Sequence, residues 1–379
     1  MAVIRKRRRA FVAHAGLVRE VYTGAVYHDA LTDVRWCEDV VGSYETANYF
    51  YTDQYSFVSP GFLDGRVTAF PVLSFEGWPY GNQNQGGFGI PHADASTTPP
   101  TYSDVVTRVA ANTNPSKPAV SVPVFLAQLK DLPRSLQRAG LLKKKQAASK
   151  REGDSSVDFN FGWDLLYKDL QKIFDFTAQV DQRVKQLTAA YGVKGSRGRG
   201  VAWSDYSRRD WGSLALWTVD VSVYANPRVT DTNRRIWGSV HWTADHIDAP
   251  SATEILQRSR LIVHGWRLAP ADVWELIPWS WFVDYFVNVG DYLEATGNNL
   301  GIHVERSCVM EETISYTRDL NISVSNPGVT ATPAVIKRTT KERTPWSPSL
   351  TLHSVPFLGP KQLVTLSSIV NGWKWNSFH

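Results

Sequence analysis

Two carboxylates, Asp284 and Asp291, stand seven residues apart in the stretch Pro270 to Ala295, PADVWELIPWSWFVDYFVNVGDYLEA, and share one stripe of a helix. Groups that exchange a proton must nearly touch, whereas seven helical residues separate them by about 10 Å along the axis. That spacing predicts a buried polar network or a cap rather than acid–base chemistry. His241 and His246 flank Asp245, but this spacing in a strand suits metal ligation poorly, and both are expected to be ordinary histidines. GxSxG, HExxH and Walker sequences do not occur. Nothing positive therefore points to a catalytic residue, a metal or a cofactor, and no small-molecule substrate is expected.

The residues that do suggest chemistry are cationic. With 41 Lys and Arg against 36 Asp and Glu the net charge is only +5, so a polyanionic partner must be met by local patches. Arg134, Arg138, Lys143, Lys144, Lys145, Lys150 and Arg151 follow one another with no acidic residue between them. A second segment, KGSRGRGVAWSDYSRR, sets Lys194, Arg197, Arg199, Arg208 and Arg209 around Trp203 and Tyr206, groups suited to phosphates and to stacking on unpaired bases. The ordinary reading of such segments is a solvated charge run. Gly192, Gly195, Gly198 and Gly200 make the second one read as a flexible loop, and the Gly-Lys-Ser/Thr ending of a P-loop is missing. The run Arg5 to Arg9 reads either as a disordered arm touching RNA or as a soluble tail. Cys37 and Cys308 are too few for a disulfide framework, and their pairing is left open. The basic start has no apolar stretch of signal-peptide length. Fifteen Trp and fifteen Tyr fit extensive aromatic packing or a large recognition surface.

The elements that must position these residues follow from periodicity. Leu17 to Phe75 is rich in β-branched and aromatic residues broken by turn formers such as Asp64-Gly65, which predicts strands. Gly77 to Pro118 is expected to be a long exposed loop region. Helical spacing begins at Phe125, Leu129, Leu132, Leu136 and Ala139, with a kink at Pro133. It is strongest from Asp158 to Tyr191, where Trp163, Leu166, Leu170, Ile173, Val180, Val184, Leu187 and Tyr191 form one face of a helix roughly 45 Å long. Leu214 to Ala225 and Arg235 to Thr243 read as a hairpin. Ser251 and Glu254 form a capping box for the following helix, with Gly265 as its stop. In the central stretch Pro278 divides two helical pieces, and Trp274, Pro278, Trp281, Phe282, Asp284 and Tyr285 join Trp163, Leu166, Leu170 and Ile173 as structural core. Its acidic residues argue against a membrane span. Strands return after Gly301 and at Val335 to Thr344, and a helix starts at Pro360. The segments are thus a β-rich and loop region (1–120), a helical bundle segment with basic links (121–212), a β-hairpin (213–250), central core helices (251–300), strands (301–358) and a C-terminal helix (359–379), expected as one intertwined body. The fold class is α+β, a helical bundle packed with a segregated, mainly antiparallel β-sheet region.

Two segments carry a family resemblance. DFNFGWDLLYKDLQ, with Phe161-Gly162-Trp163 and Leu166, is similar to the opening of a long helix in maturation (A) proteins of single-stranded RNA bacteriophages of the levivirus type. VWELIPWSWFVDYFVNVGDYLEA resembles that family's signature through Trp274-Glu275, Pro278, Ser280, Phe282-Val283-Asp284-Tyr285, Gly290 and Leu293-Glu294. The order and spacing of the two segments match, over about the last 220 residues. The resemblance implies a non-enzymatic virion protein, one copy per capsid and not a homo-oligomer, made in the host bacterial cytoplasm. Such a protein holds the genomic single-stranded RNA, sits beside the phage coat protein, attaches the particle to a host pilus or other surface receptor and accompanies the genome into the cell. It also implies an elongated fold with the helical bundle toward RNA and the β region outward. It turns the candidate contacts Lys143, Lys144, Lys145, Lys150, Arg151, Lys194, Arg197, Arg199, Trp203, Tyr206, Arg208 and Arg209 toward RNA, while the Gly77 to Pro118 loops are the nominees for the receptor. The alternatives are a wall-degrading hydrolase using Asp284 with a second carboxylate, and a general cellular RNA-binding protein.

Overall fold

The computed structural model describes residues 3–42, 48–67, 72–79, 92–117, 176–192, 194–217, 221–244, 250–264, 289–297 and 300–350. The chain divides into two compact units, each assembled from three stretches. The first takes Met1–Pro100, Val201–Gly238 and Cys308–Trp346, and the second takes Thr101–Gly200, Ser239–Ser307 and Ser347–His379.

In chain order the strands are β1 (Val3–Glu20), β2 (Val26–Val41), β3 (Phe50–Pro60), β4 (Phe62–Arg66), β5 (Leu73–Pro79), β6 (Ser196–Asp210), β7 (Leu214–Trp217), β8 (Val223–Ala225), β9 (Arg228–Ala244), β10 (Ile302–Asp319), β11 (Ile322–Val324), β12 (Val329–Ala331) and β13 (Ala334–Trp346). Ten of them form one antiparallel sheet in the order β12-β4-β5-β1-β2-β3-β13-β10-β9-β6, and β11-β8-β7 form a second. β1 and β2 are a long hairpin whose turn is closed by Gly24 N–H donating to the Glu20 carbonyl (2.9 Å). The run Arg5 to Arg9 is therefore neither a disordered arm nor a tail. Alternation along a paired strand sends Arg5, Arg7 and Arg9 to one face and Lys6 and Arg8 to the other. Asp64-Gly65, read as a turn, is a bulge inside β4. There the Asp64 carboxylate accepts the Gly77 N–H (2.7 Å), and Gly65 (φ +127°) meets the Gly328 carbonyl so closely that a Cβ would lie 2.3 Å from it.

The hairpin expected from 214–225 and 235–243 does not form. β7 pairs with β8 in the small sheet, while β9 runs through the large one. Both segments alternate, but alternation marks a strand without naming its neighbour. The small sheet closes an apolar cluster of Val18, Leu63, Phe75, Trp78, Val223 and Val329 at one end of the first unit.

The second unit holds the four helices among the described residues, α1 (Tyr102–Thr113), α2 (Phe176–Tyr191), α3 (Ala252–His264) and α4 (Val289–Thr296). α1 occupies part of what reads as a long exposed loop. A full capping box between Thr101 and Asp104 starts it, and Val105, Val106, Val109, Ala110 and Ala111 are buried. Each such valine contributes about 1.5–3 kcal/mol over its exposed state, so the segment is held as core. α1 packs on α4, where Asn114 Nδ2 donates to the carbonyls of Glu294 (2.7 Å) and Gly297 (3.1 Å). α2 packs on α3, and Arg258 donates to the Tyr191 hydroxyl (2.9 Å). Val180 and Leu187 are buried on α2, as the periodicity predicts, and the Ser251–Glu254 box caps α3. The architecture is mixed α+β, but the helices pack as pairs beside strands and do not form a bundle. The helical period fixes which face is buried, and here sheet and partner helix share that role. The expected helices at 121–175, 265–288 and 359–379 lie outside the described residues.

Candidate nucleic-acid interface

The segment carrying the second set of candidates is strand β6, not a flexible loop. Its glycines mark a close approach instead. A Cβ on Gly198 would lie 2.3 Å from Thr113 Oγ1, and one on Gly200 would lie 3.4 Å from Val109 Cγ2, so α1 packs where side chains are missing. Strand alternation then divides the candidates. In the second unit Lys194 precedes the strand, and Arg197 and Arg199 point to its exposed side, with Arg197 Nε donating to Ser239 Oγ (2.9 Å). In the first unit Trp203 and Arg209 lie on one face, and Tyr206 and Arg208 on the other. Trp203 Nε1 donates to Thr97 Oγ1 (3.2 Å), and Arg209 sits 4.0 Å over the Trp211 ring and 3.3 Å from Asp94. Trp203 is thus partly engaged with its own chain, and the five cations and two rings do not form one patch.

On the Trp203 side, residues 92–97 lie as a strap across the sheet. His92 places Nδ1 2.6 Å from Ser315 Oγ and Nε2 3.2 Å from Thr340 Oγ1. Ala93 N–H donates to Thr232 Oγ1 (3.0 Å), and Arg234 donates to the Ala93 carbonyl. Burial, helped by the positive charges of Arg338 and Arg234, pushes the His92 imidazole down to about 4. Burial alone would raise the Asp205 carboxyl, but hydrogen bonds from Ser96 and Thr97 and the charge of Arg234 bring it below its ordinary value. On the same side of the sheet, Arg228 and Asp319 form a buried bidentate pair (2.6 and 3.1 Å). This side of the sheet is a satisfied polar interior.

The other face of the same sheet is open and cationic. Pairing registers and cross-strand contacts place Arg5, Arg7, Arg9 and Phe11 of β1 on it, beside Asp33, Arg35, Cys37 and Asp39 of β2. Phe50, Thr52, Gln54 and Ser56 of β3 follow, then Lys337, Thr339, Lys341 and Arg343 of β13. Next come Glu312, Tyr316 and Arg318 of β10, and Asp231 and Arg235 of β9, and last Tyr206 and Arg208 of β6. Each carboxylate in this field is engaged. Asp39 pairs with Arg5 and Arg7, Asp33 accepts from Ser56 and the Phe57 N–H, Glu312 pairs with Lys341 (2.7 Å), and Asp231 meets Tyr206, Arg208 and Arg318. Burial would raise the Asp231 carboxyl, yet the Tyr206 hydroxyl and the two guanidinium groups hold it below its ordinary value. Cys37 and Cys308 are not joined in a disulfide.

Sequence reasoning missed this face because its cations are scattered over many strands. The one available signal was alternation, Arg-x-Arg-x-Arg-x-Phe from Arg5 to Phe11, opposite a second alternating strand. Lys143, Lys144, Lys145, Lys150 and Arg151 lie outside the described residues. So do the core candidates Trp163, Leu166, Leu170, Ile173, Trp274, Pro278, Trp281, Phe282, Asp284 and Tyr285, and with Asp284 the hydrolase alternative. His241 bonds to Glu305 (3.0 Å) and to the Lys194 carbonyl (2.7 Å), and no group of three metal-ligating side chains occurs among the described residues.

Fold and surface together define an α+β protein that presents a broad cationic sheet face. The family model for phage maturation proteins matches residues 124–344, more than half of the chain, and the chain belongs to that family. The match bears out the resemblance carried by the 158–171 and 273–295 segments, and it begins nearer the N-terminus than the resemblance did. No curated protein matches the sequence.

Proposed function

We propose that this phage maturation protein is a non-enzymatic virion component. It holds the genomic RNA within the coat shell, attaches the particle to a host surface structure such as a pilus, and accompanies the genome into the cell. The observation that carries the reading is the family match over residues 124–344. The open cationic face supports the RNA part, because counterion release from phosphates rewards exposed Arg and Lys. Attachment and delivery rest on the family alone. The test compares particles produced with and without this protein. Particles lacking it should assemble coat yet leave the genome sensitive to nuclease and fail to attach to host cells. Particles that lack it and still attach and infect normally would overturn the reading.

A further inference from the structure

We infer that one end of the ten-stranded sheet is a docking surface for an anionic phospholipid bilayer. The inference goes beyond the function proposed above and stands whether or not this protein holds RNA. Arg5 of β1, Asp39 of β2, Phe50 of β3 and Arg343 of β13 form one row across four neighbouring strands. Beyond that row the strands run out in apolar residues. Val3 and Val41 pair on one face of the hairpin, Ile4 and Val40 pair on the other, and β13 ends in Trp346. Val3 is 55% exposed, Ile4 62%, Val41 38% and Trp346 40%. Single exposed apolar residues are ordinary, but here four of them gather at one end of one sheet.

The cations begin directly behind this fringe. Arg5 to Arg9 are all exposed and alternate between the two faces, so both sides of the hairpin carry positive charge. Glu38 and Asp39 answer Lys6, Arg5 and Arg7. Arg9 and Arg35 stand directly opposite each other, both exposed, and neither has a carboxylate partner among the described residues. Two residues of strand extend about 7 Å, which matches the depth of about 5–10 Å at which interfacial segments meet the acyl chains. With Val3 and Ile4 at that depth, the Arg and Lys stems lie along the boundary and hold their charges at the lipid phosphates. Trp is enriched at the same level of a membrane. An apolar anchor or a basic patch alone binds membranes weakly, and the two together bind stably.

The make-up of this end selects a bilayer over other anions. RNA phosphates gain nothing from Val and Ile, and bases stack on rings rather than on aliphatic ends. An acidic protein would need a matched surface of about 800 Å², whereas the fringe is a few side chains at strand ends. A fluid anionic surface needs no matching shape.

The test is co-flotation of the purified full-length protein with vesicles across a salt series, using phosphatidylglycerol and phosphatidylethanolamine in equal parts, or phosphatidylcholine alone. The wild type should float with the anionic vesicles and not with the neutral ones. Val3→Ser/Ile4→Ser/Val41→Ser should weaken that binding about 10-fold or more and remove the part that survives high salt. Arg9→Gln/Arg35→Gln should weaken it about 25-fold at low salt, since one cation near an anionic bilayer is worth about fivefold, and Arg9→Lys/Arg35→Lys should restore it. The Gln pair should keep or raise the thermal midpoint, because it removes like charges placed opposite each other, so its loss of binding is not a loss of fold. A wild type that floats with neither kind of vesicle, or equally with both, would overturn the proposal. So would a Ser triple that floats like wild type, which leaves a surface for polyanions at large. Affinity for genomic RNA falling as far as vesicle binding in the Ser triple would also overturn it and give this end to nucleic acid. The particle experiment above tests the RNA-holding and attachment reading separately, and its failure leaves this proposal standing.

Discussion

At His92, burial and the nearby positive charges of Arg338 and Arg234 set a pH response. The unfolded chain binds a proton near 6.5, but the folded imidazole, pushed down to about 4, resists it. Between those values the unfolded state holds more protons, so stability is full above about pH 6.5 and falls as pH drops toward 4. Asp205 and Asp231, held below the ordinary carboxylate range, lose their contribution only at more acid pH. Thermal midpoints measured from pH 7 to 4 should therefore decline, and His92→Gln should flatten that decline. The Arg228–Asp319 pair sets a second expectation, because their side chains are only 7% and 0% exposed. Arg228→Met should cost roughly 3–5 kcal/mol in urea unfolding by stranding a buried carboxylate, and adding Asp319→Leu should recover much of it. Residue types near the candidate interface were legible in the sequence, since Lys194 to Arg209 announces itself as basic and aromatic. The face each side chain takes was not legible, because that depends on the segment being a strand.

For the elements, glycine carried two opposite meanings. Four glycines between residues 192 and 200 read as a loop, yet Gly198 and Gly200 alternate on one side of β6 and admit α1. Gly198→Ala should cost roughly 1–3 kcal/mol because its methyl meets Thr113, whose hydroxyl also donates to the Val109 carbonyl and accepts from Trp242 Nε1. Gly200→Ala should cost less, and Thr113→Ala should reduce the penalty of Gly198→Ala. Chemical denaturation of the four proteins checks the order. α1 was hidden by the Pro, Thr and Asn around it, although Thr101 and Asp104 were a readable helix start. The strands at 17–75 were legible from their β-branched and aromatic content, those after Gly301 from alternation, and the Ser251–Glu254 cap from its spacing.

For the whole molecule, the α+β class and the family were legible, the latter through two unusual helical segments. The order of strands was not, since hydrophobic pattern does not identify partners far apart in sequence. β13 is the clearest case, lying between β3 and β10 although Ser59 and its partner Val335 are separated by most of the chain. A chain stopped after Pro333 should lose amide protection from Phe50 to Ser59, as read by hydrogen exchange, because β3 becomes an open edge. Protection equal to that of the full chain would contradict the sheet order.

That distant pairing also sets a clock. At about 5–20 residues per second, a ribosome needs roughly 14–55 s to travel from the last residue of β3 to the first of β13. Through that interval the nascent hairpin of β1 and β2, with β3 beside it, has an unmated border, and host chaperones are the natural cover for it. The yield of soluble protein should thus depend on how fast residues 60–334 are translated, and slow codons there should cost more than slow codons before Phe50.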